Sequence, residues 1–549
     1  MTTPDTIILT SVDVSGDVTR HDDMLANAIA SELRRKGRQA AVRSIRETSR
    51  MRELRKTPAG HAEIASLVIE GTPQLIVFVI TEALYFFGYG LHPAEMFRTV
   101  RKHSSAVIAL AGDAATMEAD YLLTHGLVDC CFLGDAEAGV SALVDCLASG
   151  CRWTDIPGLA WWDGVQVRRN DVQPRSHELS SSGPIVRELY ERVVPSLSYG
   201  VPITTWSSRG CYARCSFCAI PAGHSFQKGP RQQLRPVEEL ADEITYLHDK
   251  YGATDYQFAD SNFILPGDTG ERRVLEICEA LKRLPFSITF RIDTRADTVT
   301  FRTVSALKEV GLRTILLGIE SFYDPDLKVF RKDMVATDVI DGLNLLDELE
   351  FSTHANSKYR VRTGMILFHP ATTLAGLRAN LDGIRRFRIS PKKLRTRLQP
   401  HRGLPLLEEF PDAVCSDTGK LQFREPCVAA ILKSFTGVFD DRHCKVYDTL
   451  RNLEKLSLIS NKPEMTCPAT MLRREVEDAS YSFFDRLLAA AEDDAESFSD
   501  ASVAIMDEEA VAFDSLIEVR GFGSIVNDLS QCLSYENSNY KLLRRLRVA

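Results

Sequence analysis

The sequence predicts an α/β protein with a Rossmann-like, doubly wound parallel sheet over residues 1–150 and a partial or full β/α barrel over 201–400. A hairpin and linker occupy 151–200, and a mainly helical region occupies 401–549. Three observations predict this. Short apolar runs alternate with stretches of helical periodicity in two series, the order that builds a parallel sheet. Glycines and short polar residues follow the runs, where α/β folds receive ligands. Beyond residue 410 the pattern is helical, with acidic stretches such as Glu492-Asp493-Asp494.

In the first series Thr6–Thr10 is a predicted strand, and Asp22–Gly37 a helix with Leu25, Ile29 and Leu33 on one face and Gly37 as C-cap. Gln74–Ile80, Ala106–Ala111 and Val128–Leu133 are predicted strands; Pro93–His103 and the stretch from Gly134 to Leu147 supply helices. Pro157–Gly164 reads as a hairpin turning at Asp163-Gly164. The polar run 174–200, with Ser180-Ser181-Ser182-Gly183-Pro184, reads as a linker. The second series predicts strands at Ile203–Ser207, Asp255–Ala259, Ser287–Arg291, Thr314–Ile319 and Val361–Phe368. Helices are predicted between them at Pro236–Tyr251, Arg272–Leu284 and Phe301–Val310, and after them at Thr373–Phe387. Barrels of this kind gather their chemistry at the strand C-termini.

Composition excludes several classes. With 44% hydrophobic and 26% charged residues, the 549-residue chain is an ordinary globular protein of several domains. A formal net charge of -9 argues against a protein that tracks a phosphate backbone, which needs a basic surplus. Lys392-Lys393-Leu394-Arg395-Thr396-Arg397 is a local exception, readable as a basic patch or as a solvated face. No apolar run approaches the ~18 residues of a membrane span, and Met1–Asp5 opens no signal peptide, so a soluble, cytoplasmic protein is expected. The 13 cysteines are expected to be reduced thiols and not a disulfide framework.

Three cysteines stand apart. Arg209-Gly210-Cys211-Tyr212-Ala213-Arg214-Cys215-Ser216-Phe217-Cys218 follows a predicted strand and has C-x3-C-x2-C spacing. Three thiolates on one loop ligate three irons of a 4Fe–4S cubane and leave the fourth without a protein ligand. An open iron of this kind chelates the amino and carboxylate groups of S-adenosylmethionine (SAM). An electron passed into the sulfonium then breaks a C–S bond and releases a 5′-deoxyadenosyl radical. Two other readings compete: zinc, with His224 completing a Cys3His set, and three inert buried cysteines. Cys415, Cys427, Cys444, Cys467 and Cys532 lack a close pair and read as buried thiols before ligands of an auxiliary cluster.

From this loop onward the chain resembles the radical SAM superfamily. Phe217 matches the aromatic position beside the third cysteine, and Phe258-Ala259-Asp260-Ser261-Asn262-Phe263 resembles the strand end that meets the SAM amino group. Arg291-Ile292-Asp293-Thr294-Arg295-Ala296-Asp297 resembles the family's x-R-A-D strand, and Gly318-Ile319-Glu320-Ser321 is identical to its G-I-E-S motif. Gly364–Thr373 matches G-x-P-G-E-T only loosely, departing at His369 and Ala371. The resemblance implies Cys211, Cys215 and Cys218 as cluster ligands and Phe217, Ala259, Asp260, Arg291, Glu320 and Ser321 as SAM contacts.

The N-terminal half resembles the cobalamin-binding domain that precedes the barrel in one class of this family. The carriers are Ala111-Gly112-Asp113, Gly134-Asp135-Ala136-Glu137 and Asp155–Ala160, so the whole resemblance covers roughly residues 5–400. It implies a corrinoid against loops 10–21, 80–90 and 112–117, with Thr81, Glu82, Gly112, Gly134 and Glu137 as contacts. Members that ligate cobalt through histidine carry D-x-H-x-x-G in the first loop, and Ser11–His21 does not match. His21 therefore reads as a helix-start residue, and the implied choice is cobalamin without a histidine ligand or a domain kept as scaffold.

The implied reaction is cobalamin-dependent methyl transfer to an unactivated carbon of a natural-product intermediate, on a small-molecule or peptide substrate, with an electron donor such as flavodoxin or ferredoxin. A radical cyclase, rearrangement or other C–C bond-forming enzyme of the same family is the alternative. A methylthiotransferase would carry three further cluster cysteines early in the chain, and none precedes Cys130. The C-terminal helices are expected to cover the barrel mouth, and Tyr447, Tyr481 and Tyr540 are pocket candidates or core residues.

Overall fold

The computed structural model describes residues 4–10, 24–45, 51, 54, 57–69, 71–80, 93–179, 185, 187–193, 202–223, 227–354, 357–400, 403–414, 420–459 and 466–526. The chain forms two compact units: Met1–Thr294 with Ala306–Leu312 and Gln399–Glu409, and Arg295–Ser305 with Arg313–Leu398 and Phe410–Ala549.

The first unit opens with β1 (Thr6–Thr10), α1 (Met24–Arg35), β2 (Ala40–Ser44), α2 (Pro58–Val68), β3 (Leu75–Val79), α3 (Pro93–His103), β4 (Val107–Ala111), α4 (Asp113–Met117), α5 (Ala119–Thr124), β5 (Cys130–Phe132) and α6 (Glu137–Ser149). These strands pair in parallel in the order β2-β1-β3-β4-β5. Their near-continuous apolar sequences follow from burial on both faces. Alternate residues serve two cores: Ile7, Leu9, Ile76 and Phe78 pack with Ile64 of α2 and Met96 of α3, while Ile8, Leu75 and Val77 pack with Ile29 of α1 and Leu143 of α6. That is a doubly wound sheet.

Two features differ from expectation. The hairpin strands β6 (Leu159–Trp162) and β7 (Val167–Arg169) extend the same sheet antiparallel from β5, so the sheet does not end near residue 150. A correction concerns the cysteines, expected to be reduced: Cys146 and Cys151 form a disulfide. Gly150, with φ 71, turns the chain back after α6, and the Cys151 N–H donates to the Cys146 carbonyl at 3.1 Å. This brings the two Cα atoms to 4.7 Å, inside disulfide range.

The first unit continues through α7 (Glu188–Val193), β8 (Ile203–Thr205), β9 (Ser208–Gly210), α8 (Ala219–Gly223), β10 (Gln232–Leu234), α9 (Val237–Tyr251), β11 (Asp255–Phe258), α10 (Gly267–Lys282) and β12 (Thr289–Arg295). β8, β11 and β12 pair in parallel, and β9 and β10 form a separate antiparallel pair. Helix α11 (Phe301–Glu309) contributes residues to both units.

In the second unit β13 (Leu312–Glu320), α12 (Asp324–Val329), α13 (Ala336–Glu348), β14 (Phe351–Ser352), β15 (Tyr359–Met365) and α14 (Leu374–Arg386) form a parallel three-stranded layer in the order β14-β15-β13. β15 stops three residues before its expected end because the Leu367 and Phe368 N–H groups turn to the Thr396 carbonyl, each at 3.0 Å. After α15 (Pro405–Glu409), which belongs to the first unit, come α16 (Pro426–Phe439), α17 (His443–Ile459), α18 (Thr466–Asp493) and α19 (Phe498–Val519).

Two of the four cations of the basic run 392–397 are paired within this unit, Lys392 with Asp448 at 2.5 Å and Arg395 with Asp440. Tyr481 is a core residue whose hydroxyl donates to the Ile389 carbonyl at 2.6 Å. Cys427 and Cys444 are buried. His21, His224, Cys415, Cys532, Tyr540 and the side chain of Cys467 lie outside the described residues. No helix among the described residues is long and apolar enough to cross a membrane.

Candidate active site

The cysteine loop leaves β9 at Gly210, whose φ of 85 is open to glycine and unfavourable for other residues. Cys215 is buried, Cys211 and Cys218 are half-buried, and the Cys218 N–H donates to the Cys215 carbonyl at 3.3 Å. Burial pushes the Cys218 thiol up to about 12; Cys215, Cys211 and Asp113 add to the effect against a backbone hydrogen bond from Ile220. The three sulfurs therefore sit in one another's field, and as thiolates they would repel unless cations lay between them. Among the described residues no three His, Cys, Asp or Glu side chains converge as ligands of a single ion. A cubane makes a different demand, since each thiolate takes its own iron. The loop offers three thiols for that demand, while His224, the fourth ligand of the zinc reading, lies outside the described residues.

Asp260 anchors the loop from behind. It accepts the Ser207 N–H at 2.9 Å and the Ser207 and Ser208 hydroxyls at 2.6 Å each, on the residues that enter β9. Burial outweighs these three bonds and holds its carboxyl above the ordinary carboxylate range. Ala259, beside it, is half-buried and donates its N–H to the Thr205 carbonyl at 2.7 Å. Asp260→Ala is expected to destabilise the unit by roughly 3 kcal/mol, because buried donors lose their acceptor. Chemical denaturation of the metal-free chain measures it, and an unchanged midpoint refutes the anchoring role.

The C-terminal edge of the doubly wound sheet lies against this loop. Arg209, two residues before Cys211, pairs with Glu137 at 2.5 Å and with Asp135 at 3.4 Å, and its guanidinium lies 4.4 Å over the Trp206 ring. Arg175 also holds Asp135, at 2.8 Å. Although burial opposes it, Arg209 and Arg175 keep the Asp135 carboxyl below its usual range. Helix α8, which follows Cys218, packs on α4, which Gly112 caps with φ 93. Gly134, with φ 76, leaves no room for a Cβ, which would meet Gln227 Oε1 at 2.6 Å. Gly112, Gly134 and Glu137 are thus gathered beside the cysteines; Thr81 and Glu82 lie outside the described residues.

In the second unit Glu320 ends β13 with φ 60, at a bulge in its register with β15. Bulges and left-handed non-glycine residues re-aim side chains at functional sites, at a cost of about 1–3 kcal/mol for the backbone. The Lys332 ammonium pairs with its carboxylate at 2.9 Å, both nearly buried. Lys332 is itself presented between Arg331 (φ 47) and Asp333 (φ 53). Gly364 lies opposite, where a Cβ would stand in ordinary contact with the Glu320 carboxylate, 3.5 Å from Oε2.

Ser321 is fully buried, donating to Asp326 Oδ2 at 2.8 Å and bonding Asn380. His369 Nε2 lies 3.0 Å from Asp326 Oδ1, so the departure at His369 completes a buried polar cluster. Arg291 is placed elsewhere. It reaches back to Asp255 at the start of β11, at 2.9 Å, whereas the strand's C-terminal arginine is Arg295, which pairs with Asp297 at 2.8 Å.

Sequence reasoning missed Arg209, Lys332 and Asp113. Burial raises Asp113, against Arg175 and with Asp135, to about 7. Arg209 had a readable signal in its place beside the first cysteine, Asp113 stood in the Ala111-Gly112-Asp113 motif of which only Gly112 was read as a contact, and Lys332 had none.

Residues 207–370 match the Radical SAM superfamily. The chain carries a radical SAM domain. Outside that domain's bounds the comparisons reach further. "Uncharacterized methyltransferase PH0819" of Pyrococcus horikoshii is 24% identical over 305 residues, 54% of this chain and 61% of that protein. "4'-phospho-dehydrooxetanocin synthase" of Priestia megaterium is 27% identical over 290 residues, 48% of this chain and 37% of that protein. Both matches cover less than two thirds of the relative's own length. The fold of radical SAM domain and flanking regions together is similar to the cobalamin-dependent S-adenosylmethionine radical enzyme OxsB, solved with aqua-cobalamin and S-adenosylmethionine bound. That likeness has a TM-score of 0.72 at 14% identity, covering 99% of this chain and 84% of that one.

Proposed function

We propose that this chain is a radical SAM enzyme in which Cys211, Cys215 and Cys218 hold a site-differentiated 4Fe–4S cluster and the N-terminal sheet edge holds cobalamin. One observation carries the reading: Arg209 ties the cysteine loop to Glu137 and Asp135, so a sheet edge suited to a flat ligand adjoins the cluster loop. When bound, the cluster would supply the electron that cleaves SAM, and the corrinoid a transferable methyl group. Arg209 would hold the two sites in register, and Asp260 would fix the loop's entry. By their motifs Phe217, Ala259 and Glu320 are proposed to contact SAM, Lys332 orienting the Glu320 carboxylate. The proposed reaction is methyl transfer to an unactivated carbon of a small natural-product intermediate, with a flavodoxin or ferredoxin as electron donor. The relative named a synthase favours a second reading, a radical rearrangement or C–C bond formation on the same scaffold.

The test is metal analysis and the visible spectrum of protein purified anaerobically after expression with cobalamin. About four irons and one cobalt per chain are expected. A full cluster without cobalt would refute the cobalamin assignment and leave the sheet as scaffold.

A further inference from the structure

The second unit contains a cavity of about 360 Å³ away from Glu320. Val361 lines it, four residues before Met365, the register partner of Glu320. That is a separation of ~13 Å along the strand. Phe351 and Val361 give it an apolar wall, and Arg386, Arg388, Arg473 and Arg474 give it a cationic one. Arg473 is buried and neutralised by Glu454 at 2.8 Å and by Glu477, and Arg388 pairs with Asp478. Arg386 and Arg474 have no acidic partner among the described residues, and both are exposed at the mouth. Against them stand Asp347 and Glu477, the latter pushed by burial to about 7 despite Arg473 and Arg388.

His354 reports the resulting field. Burial lowers its pKa first, then Arg473; Arg474 and Arg388 act in the same direction, and Glu454 opposes them. The lining thus sets four guanidiniums against two carboxyls, and Arg386, which lies 5.0 Å over the Phe387 ring, and Arg474 have no ion-pair partner among the described residues. Two such groups match the oxygens of a dianion, through paired N–H bonds that a single carboxylate would fill only in part. The volume exceeds what a bare oxyanion occupies and leaves an apolar wall for an organic body.

We propose that this cavity binds a phosphorylated small molecule, with Arg386 and Arg474 taking the phosphoryl group and the Phe351–Val361 wall taking its organic part. The site does not include Glu320 and does not depend on the cofactor assignment.

The experiment is calorimetric titration of the full chain with phenyl phosphate, phenol and inorganic phosphate, in wild type and in the double variant Arg386→Gln/Arg474→Gln. Both arginines are exposed and lack ion-pair partners among the described residues, so the variant should fold, and thermal unfolding checks that it does. Saturable binding of phenyl phosphate that weakens at least tenfold in the variant is expected. The His354 imidazole pKa, followed by NMR, should rise in the complex, because the bound anion offsets the arginine field. Absence of saturable binding to wild type, or equal affinity in the variant, overturns the proposal. Phenyl phosphate binding no tighter than inorganic phosphate overturns the assignment of an organic ligand. Phenol binding as well as phenyl phosphate overturns the role of the arginines.

Discussion

Cys215→Ala is expected to abolish cluster assembly and to lower 5′-deoxyadenosine formation at least 100-fold. Cys215 is the most enclosed of the three motif cysteines, at 7% exposure, and its carbonyl receives the N–H of Cys218. Removing it would take away one proposed iron ligand at the centre of the loop, where no neighbouring thiol among the described residues offers a substitute. Mutation of groups that only orient a ligand typically costs 10–100-fold in metal affinity or activity, and a ligand itself should cost more. Iron content, cluster absorbance and deoxyadenosine after anaerobic reconstitution measure the effect. Cys278→Ala is the comparison. Cys278 is buried on α10, away from the motif, and burial raises its thiol to about 12. It should lose a little stability and keep the cluster. Deoxyadenosine at wild-type levels from Cys215→Ala would sink the central assignment, and equal losses in the two variants would show that the assay follows folding.

The contrast between these cysteines shows which parts of the site the sequence carries openly. The proposed cluster ligation is local: the three cysteines lie within eight residues, so their spacing alone suggested the chemistry. β1 and β3 were equally legible, because a strand buried on both faces must be apolar throughout. What depends on distant partners was hidden. Asp260 reads as a ligand contact, yet both of its oxygens hold the loop's entry. Arg291 is drawn away by Asp255, and Ser321 is locked by Asp326 and Asn380. Glu320 was visible in a four-residue motif, while Lys332 comes from a turn that no periodicity marks. The pairing of Glu137 with Arg209 joins residues 72 positions apart. The disulfide was missed because an odd cysteine count says nothing about one local pair closed by Gly150.

The largest stability effect is expected at Glu243, outside every motif. This residue of α9 accepts from Arg187 at 2.9 Å, from Thr205 at 3.0 Å and from Arg235, and all three charged side chains are at most 2% exposed. A buried pair of this kind adds little over an apolar replacement of the whole network, but removing one partner strands the others. Glu243→Ala would leave two guanidiniums facing each other without a carboxylate, at about 3–5 kcal/mol. For a unit of this size that is a fall in Tm of roughly 10 °C. Glu191→Ala is the control, since the Glu191–Lys250 pair is about 40% exposed on both sides and should shift stability by less than ~1 kcal/mol. The same site makes a pH prediction. Burial raises the Glu243 pKa, but Arg187 and Arg235 outweigh it and hold the folded-state value below the ordinary glutamate value. A depressed carboxylate contributes its full stability above the unfolded-state value and loses it as pH falls through the folded one. Wild type should therefore lose stability below about pH 4.5, and Glu243→Ala, which is already without that contribution, should show a flatter acid limb. Parallel acid limbs in the two proteins would mean that the carboxylate is not ionised in the folded chain.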